Sequence, residues 1–314
     1  MPTEQRTVQI PLAISAREHA QVLAGQRLKG FAIFLGALSL LAVLDALAKD
    51  LVLRNSAPLV NLARYGVVLI MALVAMWQRR VPFVAAPRTR ILLLGRGFML
   101  AMVGICFMPA LQYLPLAEAT AIYFLAPLFV VMLCPLVLRE RVSTTQYAAV
   151  LVGLAGMLLI VRPGGELSLV GSALMLVAAV SYACVQLLTR KLAGRTTSDQ
   201  QFFYAAVVCT VMGTAVLAIF WPTRWPDARD IGAMLLVGLL SGVGQYLIIR
   251  AFELVPASAL APFNYFHLLL AVIFSMTVFH QTPSLAAVIG MLLIAGAGLS
   301  LTFPLLRARF AGRT

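Results

Sequence analysis

The sequence predicts an all-α membrane protein: ten transmembrane helices arranged as two inverted five-helix repeats, with both termini in the cytoplasm. Three observations predict it. Hydrophobic residues make up 62% of the 314 residues and charged residues only 11%, where a soluble domain carries roughly 25% charge. Motifs of the first half return about 141 positions later in the second half. Lysine and arginine are crowded into alternate connections, which fixes a topology.

The elements follow in order. Residues 1–27 are polar, with no apolar core ahead of a small-residue cleavage site, and read as a cytoplasmic segment before an uncleaved signal-anchor span. Apolar runs then fall near 28–48, 57–77, 91–112, 116–138, 146–162, 168–189, 201–221, 231–252, 257–279 and 284–305. Most approach the ~20 residues that cross ~30 Å of hydrocarbon. They lack the alternation of barrel strands, so helices must satisfy the backbone. Leu114-Pro115-Leu116 joins spans 3 and 4 almost directly, and Val255-Pro256-Ala257 joins spans 8 and 9 on the opposite face. Each pair is therefore a tight antiparallel hairpin. Arg162-Pro163-Gly164-Gly165-Glu166 interrupts the chain between a first unit, 28–162, and a second, 168–305, leaving 306–314 as a cytoplasmic tail. Trp77, Tyr113, Trp221 and Trp225 mark span ends, where amphipathic rings favour the interface.

The charge distribution sets orientation. With the N-terminus inside, 17 of the 24 Lys and Arg fall in cytoplasmic segments, against five in the opposite loops. Arg64 and Arg96 lie within spans. The net charge of +13 is then a by-product of topology and not a footprint for nucleic acid. Cys106, Cys134, Cys184 and Cys209 fall inside spans and lack metal or disulfide spacing, so they read as packing residues.

In the repeat, Gly30, Asp45, Leu47, Lys49, Leu51, Gly97, Ala110 and Pro115 stand opposite Gly171, Gln186, Leu188, Arg190, Leu192, Gly238, Ala251 and Pro256. A unit with an odd number of spans must insert its second copy upside down. Inverted repeats of this kind build alternating-access carriers, with the site between the halves. Gly153, Ala155 and Gly156 in span 5, and Gly290, Ala295, Gly296, Ala297 and Gly298 in span 10, let backbones approach closely. They serve either internal packing or a homodimer seam through spans 5 and 10.

These features resemble the drug/metabolite transporter superfamily, EamA-like branch, over residues 28–305. The matching residues are Arg64, Arg96, the stretch Ala110-Leu-Gln-Tyr-Leu-Pro-Leu-Ala-Glu-Ala-Thr120, Pro127, Leu138-Arg-Glu140-Arg and Gly153 with Gly156. The second half departs at Gln281, where the family has Glu, and at Leu268, opposite Pro127. A finer likeness is to S-adenosylmethionine-uptake-type members, carried by Leu44-Asp45-Ala-Leu-Ala-Lys49, Arg64-Tyr65, Arg96-Gly97, Arg250-Ala-Phe252 and Ala261-Pro-Phe-Asn-Tyr265. The resemblance implies two EamA repeats, a central cavity lined by spans 1, 2, 3, 4, 6, 8 and 9, and a place in the inner membrane.

Ionisable groups inside a membrane are costly and mark function. Asp45 and Lys49, one turn apart, form an i,i+4 ion pair, or Asp45 faces the cavity and takes a cationic group. Arg64 sits two turns into span 2, positioned for a carboxylate or for Asp45 or Glu118. Arg96, one turn inside span 3, either snorkels or binds substrate. Glu118 opens span 4, where it caps the helix dipole or gates. Span 9 holds Asn264, Tyr265 and His267, and Tyr123 of span 4 is the repeat mate of Asn264. His267 is a packing residue or a titrating one. Gln245, Tyr246, Tyr182 and Gln186 add hydrogen-bonding capacity.

The resulting expectation is a secondary transporter of a small polar or zwitterionic metabolite, not an enzyme, and without a cofactor or resident metal. Substrate contacts fall to Asp45, Arg64, Arg96, Tyr123, Gln245, Asn264, Tyr265 and His267, and gating or coupling to Lys49 and Glu118. Its partners are the small-molecule substrate and the lipid bilayer. S-adenosylmethionine uptake or exchange, export of amino acids or toxic metabolites, and vitamin uptake all remain open, as does a non-transporting lipid scramblase or membrane scaffold.

Overall fold

The structure is a computed structural model and describes residues 12–137, 144–161, 167–192, 195–222, 224–255 and 263–311. Among these residues the regular elements are all helices: α1 (Leu12–Arg54), α2 (Ala57–Arg79), α3 (Pro87–Tyr113), α4 (Leu116–Tyr123), α5 (Ala126–Val137), α6 (Thr144–Val161), α7 (Leu169–Leu192), α8 (Ser198–Ile219), α9 (Ala228–Leu254), α10 (Asn264–Thr277) and α11 (Leu285–Ala311). Seven helical stretches are long and apolar enough to cross a membrane: Leu28–Arg54, Ala57–Arg79, Pro87–Tyr113, Leu116–Val137, Leu169–Leu192, Ser198–Ile219 and Ala228–Ile248. Tyr147–Ile160, Phe266–Thr277 and Leu285–Ala297 are apolar but shorter. The breaks expected at 162–166 and at Pro256-Ala257, and the Leu138-Arg-Glu140-Arg motif, lie outside the described residues.

Two features of the elements add to the sequence reading. First, the helix that carries span 1 begins upstream of the span. The backbone is already helical at Leu12 and runs without interruption to Arg54, because Ala, Leu, Gln and Arg are strong helix formers and no proline intervenes. Second, span 4 is not one helix but two, α4 and α5, with a break at Phe124 and Leu125. Pro127 has no N–H to return to the Tyr123 carbonyl, and its ring crowds the preceding turn. The backbone tightens there: Leu125 N bonds the Ile122 carbonyl at 3.1 Å and Leu128 N the Leu125 carbonyl at 2.9 Å. The α3–α4 turn is as short as expected, with Leu114 N closing on the Ala110 carbonyl at 3.0 Å.

Contact registers define how the two units sit. Gly30 of α1 meets Leu254 and Val255 at the end of α9, and Gly244 of α9 meets Leu41 of α1. The two helices therefore run antiparallel. Gly171 at the start of α7 meets Tyr113 and Leu114 at the end of α3, so this pair is antiparallel too. Shifting Gly30, Tyr113 and Leu114 by 141 positions gives Gly171, Leu254 and Val255, so the two seams exchange under the repeat. The α2–α9 and α3–α8 contacts exchange in the same way, while α2 packs on α8 and α6 on α11. Because α2 runs with α9 and so against α1, α3 shares the sense of α1, and since α7 opposes α3 the second unit is inverted relative to the first.

The core follows this arrangement. Leu111, Leu114, Leu116, Ile122 and Leu125 are fully buried where α3 and α4 enter the bundle. Outward faces are apolar as well: Ile70, Leu158 and Leu292 are 62%, 60% and 67% exposed, a pattern suited to lipid and not to water. The small residues of spans 5 and 10 are used within the chain. A side chain on Gly156 would strike the Gly290 backbone and Leu293, and one on Gly290 would strike Gly156 and Ile160. Gly156 and Gly290 thus pack α6 against α11 within the chain, while Ala155 and Gly296 are exposed on the outer face of the same pair.

Candidate functional site

Broken span 4 positions the centre of the site. Tyr123 ends α4 and its ring lies 5.1 Å from Tyr182 of α7 and 5.3 Å from Phe107 of α3, centroid to centroid. Phe124, at the break, turns the other way, with its ring 5.9 Å from that of His267 on α10. His267 Nε2 stands 3.3 Å from Asp45 Oδ2 of α1, close enough for an ion pair when the ring is protonated. The approach lacks hydrogen-bond geometry, and Nε2 has no hydrogen-bond partner. Both residues are buried, Asp45 8% and His267 9% exposed. Four aromatic rings, an imidazole and a carboxylate, from α1, α3, α4, the break after α4, α7 and α10, therefore meet inside an apolar bundle.

Arg64 approaches the same centre from α2. Its Nε donates to Ser241 Oγ of α9 at 2.9 Å, and its guanidinium carbon stands 5.2 Å from the centre of the Tyr65 ring. That fixes the plane of the fork while leaving its terminal nitrogens without a protein hydrogen bond among the described residues. The charge lies within electrostatic reach of the Tyr123 phenol and the Cys209 thiol. Gln245, half-buried, is one turn along α9 from Ser241, and Asn264, half-buried, opens α10. The Tyr265 side chain lies outside the described residues.

Three further candidate residues, Lys49, Glu118 and Arg96, have surroundings of their own. Lys49 does not pair with Asp45. Its ammonium donates to the Leu114 carbonyl at the end of α3 and stands 5.3 Å from the Phe279 ring centre, because α1 carries it past the centre to the α3–α4 turn. Glu118, in the first turn of α4, is buried, and its Oε2 has no hydrogen-bond partner. Arg96 is bonded to two helices: Nε donates to Thr189 Oγ1 of α7 at 2.7 Å and Nη1 to the Gln201 carbonyl of α8 at 3.2 Å. Two further polar residues are buried on α2 and α4. Asn61 Oδ1 and Thr120 Oγ1 are buried and without a hydrogen-bond partner. They precede Arg64 and Tyr123 by three positions, almost one helical turn, and that spacing was visible in the sequence.

The constellation suits binding. Asp45 and the ring faces offer a place for a cation, Arg64 offers two free donors to an anion, and the partnerless amide, hydroxyl and imidazole offer hydrogen bonds. Among the described residues no group of three His, Cys, Asp or Glu could hold a metal ion.

Comparison with known proteins concerns the family and the fold. A solved crystal structure shares the fold, with a TM-score of 0.64 at 22% identity, covering 89% of this chain and 98% of that one. The S-adenosylmethionine uptake transporter of Rickettsia bellii is 25% identical over 193 residues, 62% of this chain and 66% of the relative, so the match spans just under two thirds of its length. The pseudopaline exporter of Pseudomonas aeruginosa is 28% identical over 218 residues, 67% of this chain and 74% of the relative. The riboflavin transporter of Brucella anthropi is 28% identical over 197 residues, 61% and 69%. The sequence profile of the EamA-like transporter family matches residues 28–162 and 169–303, nearly the whole helical bundle, and the chain belongs to that family.

Proposed function

We propose that this chain is a ten-span secondary transporter of the inner membrane, both termini in the cytoplasm, that carries a small zwitterionic metabolite by rocking its two inverted halves. The observation that supports it most is the central pairing of unlike charges. Asp45 beside aromatic rings and Arg64 with its terminal donors free match the two ends of a zwitterion. An apolar bundle keeps such groups only where a solute or water reaches them. Ten crossings would use the seven long apolar stretches and the three shorter ones. S-adenosylmethionine, which carries a sulfonium, an amino group and a carboxylate, fits this chemistry and is the solute named for the Rickettsia relative.

Counterflow tests the proposal. Proteoliposomes preloaded with unlabelled S-adenosylmethionine should accumulate the labelled compound faster than empty ones, with saturation, and methionine, riboflavin and nucleosides as competitors rank the specificity. Correctly inserted protein that shows no counterflow with any of them sinks the transport reading. A second reading, export, is favoured by the pseudopaline exporter, which matches a larger share of this chain than the uptake relatives do. Cells carrying the protein that lose labelled solute faster than cells without it decide for export.

A further inference from the structure

A cavity lies apart from that centre, at the end of the bundle where α3 turns into α4. Its volume is about 300 Å³, and its lining includes Lys49, Gln112, Tyr113, Pro115 and Gln281. Gln112, Tyr113 and Gln281 are exposed and form the rim. Lys49 is 3% exposed and forms the floor. Its ammonium has one hydrogen bond, to the Leu114 carbonyl, and no ion pair among the described residues. Glu118 lies within electrostatic reach but beyond ion-pair distance. A buried cation without a paired anion is costly to keep. Capping the last carbonyl of α3 accounts for one of its three N–H groups. Gln112 gives its amide nitrogen to the Val52 carbonyl at 2.6 Å, which leaves its oxygen at the rim as an acceptor.

We propose that this cavity is a vestibular subsite for a carboxylate-bearing solute, with Lys49 as the charge that holds the carboxylate. The inference rests on the transport reading above and deepens it by adding a first stop on the way to Asp45 and Arg64. The size, at the lower edge of small-molecule sites, admits an amino-acid-sized end of a solute. A carboxylate bound there competes with the Leu114 carbonyl for the ammonium. Binding thereby loosens the tie between α1 and the α3–α4 turn, the turn that carries Glu118 and leads to Tyr123. Recognition and opening then share one residue.

Two readouts test it. The first needs no transport. In a background with Cys106, Cys134, Cys184 and Cys209 replaced by alanine, Gln281→Cys is labelled with an anionic, sulfonate-bearing methanethiosulfonate and with a cationic, trimethylammonium-bearing one. An accessible ammonium should favour the anionic reagent by about tenfold. Lys49→Met should remove that preference, and Lys49→Arg, which keeps the charge, should retain it. An unchanged preference in Lys49→Met overturns the proposal, because the ammonium then does not face the cavity. The second readout is counterflow of S-adenosylmethionine and of its decarboxylated analogue. Lys49→Met should raise KM about tenfold or more for the carboxylate-bearing solute and leave KM for the analogue unchanged. A fall in maximal rate for both solutes at constant KM overturns the proposal and leaves Lys49 as a helix cap. Wild-type protein that carries neither solute sinks the transport reading, while the labelling preference still decides whether the cavity is cationic.

Discussion

At the residue scale the decisive feature is that Arg64 is held by one nitrogen and free at two. The Ser241 hydroxyl fixes Nε at 2.9 Å, and a lysine at this position keeps the charge but loses both the fork and its anchor. Arg64→Ala and Arg64→Lys should each lower counterflow at least a hundredfold while the protein remains folded in the membrane. Ser241→Ala removes only the anchoring hydrogen bond, about 1 kcal/mol, and should lower the rate about fivefold. Near-normal counterflow in Arg64→Ala excludes the arginine from the site. Arg96 is bound on both sides, to Thr189 and to the Gln201 carbonyl, and its replacement should act differently. Arg96→Met should lower the thermal unfolding midpoint in detergent by several degrees and leave KM of the remaining folded protein unchanged; a raised KM with an unchanged midpoint would return Arg96 to the substrate. The sequence marked Asp45, Arg64, Arg96 and His267 because a charge or imidazole in an apolar run is conspicuous. It could not tell which of them meet a hydrogen-bond partner, since that depends on which neighbouring helix supplies one. Asp45 and Lys49 have ideal spacing for an ion pair, yet each has a neighbour on another helix. Asn61 and Phe107 drew no notice, and Thr120 stood out only as the end of a motif, because neutral residues in an apolar run cost little and signal little.

At the element scale the break in span 4 sets the geometry of the aromatic centre. A continuous helix would carry Tyr123 and Phe124 about 100° apart on one cylinder. The break instead lets one ring reach α7 and the other α10. Pro127 is the cause, and the local rule for proline inside a helix was available from sequence. It was overridden there by the length and apolarity of the run from 116 to 138, which read as one span. Pro127→Ala should restore the missing backbone hydrogen bond and straighten the span. The expected result is unchanged or slightly raised thermal stability together with a loss of counterflow of tenfold or more. A variant that transports normally would show that the break is incidental to the site. The α6–α11 seam answers to packing in a simpler way. Gly156→Leu inserts a side chain against the Gly290 backbone and Leu293, and overpacking of this kind costs about 1–3 kcal/mol. The thermal midpoint should fall, and a midpoint equal to wild type would place this seam apart more widely than the structure has it.

At the scale of the whole molecule, the echo of 141 positions was legible in sequence as spacing alone, through pairs such as Gly30 with Gly171 and Pro115 with Pro256. What it meant physically needed the packing. Each glycine of the first pair touches the end of a helix from the other unit, so the two seams are copies related by inversion. The charged contacts are not copies. At the end where α1 stops and α9 starts, Asp230 accepts from Arg54 at 2.8 Å and from Asn55 at 2.6 Å. At the opposite end, Arg79 pairs with Asp199 at 2.8 Å and bonds the Tyr246 hydroxyl. Arg54 and Arg79 are both partly exposed, so each cluster contributes little to stability, in the range of about 0–1 kcal/mol per pair. Weak contacts between halves at opposite ends are what a rocking carrier requires, because each must open once per cycle. Joining Asn55→Cys to Asp230→Cys with a short bifunctional thiol reagent, in the cysteine-free background, should therefore stop counterflow, and cleaving the link should restore it. Labelling one cysteine at a time should leave the rate above half. Full counterflow in the linked protein would mean that the halves do not part at this end, and the motion would then have to be confined to the α3–α4 turn and the start of α10.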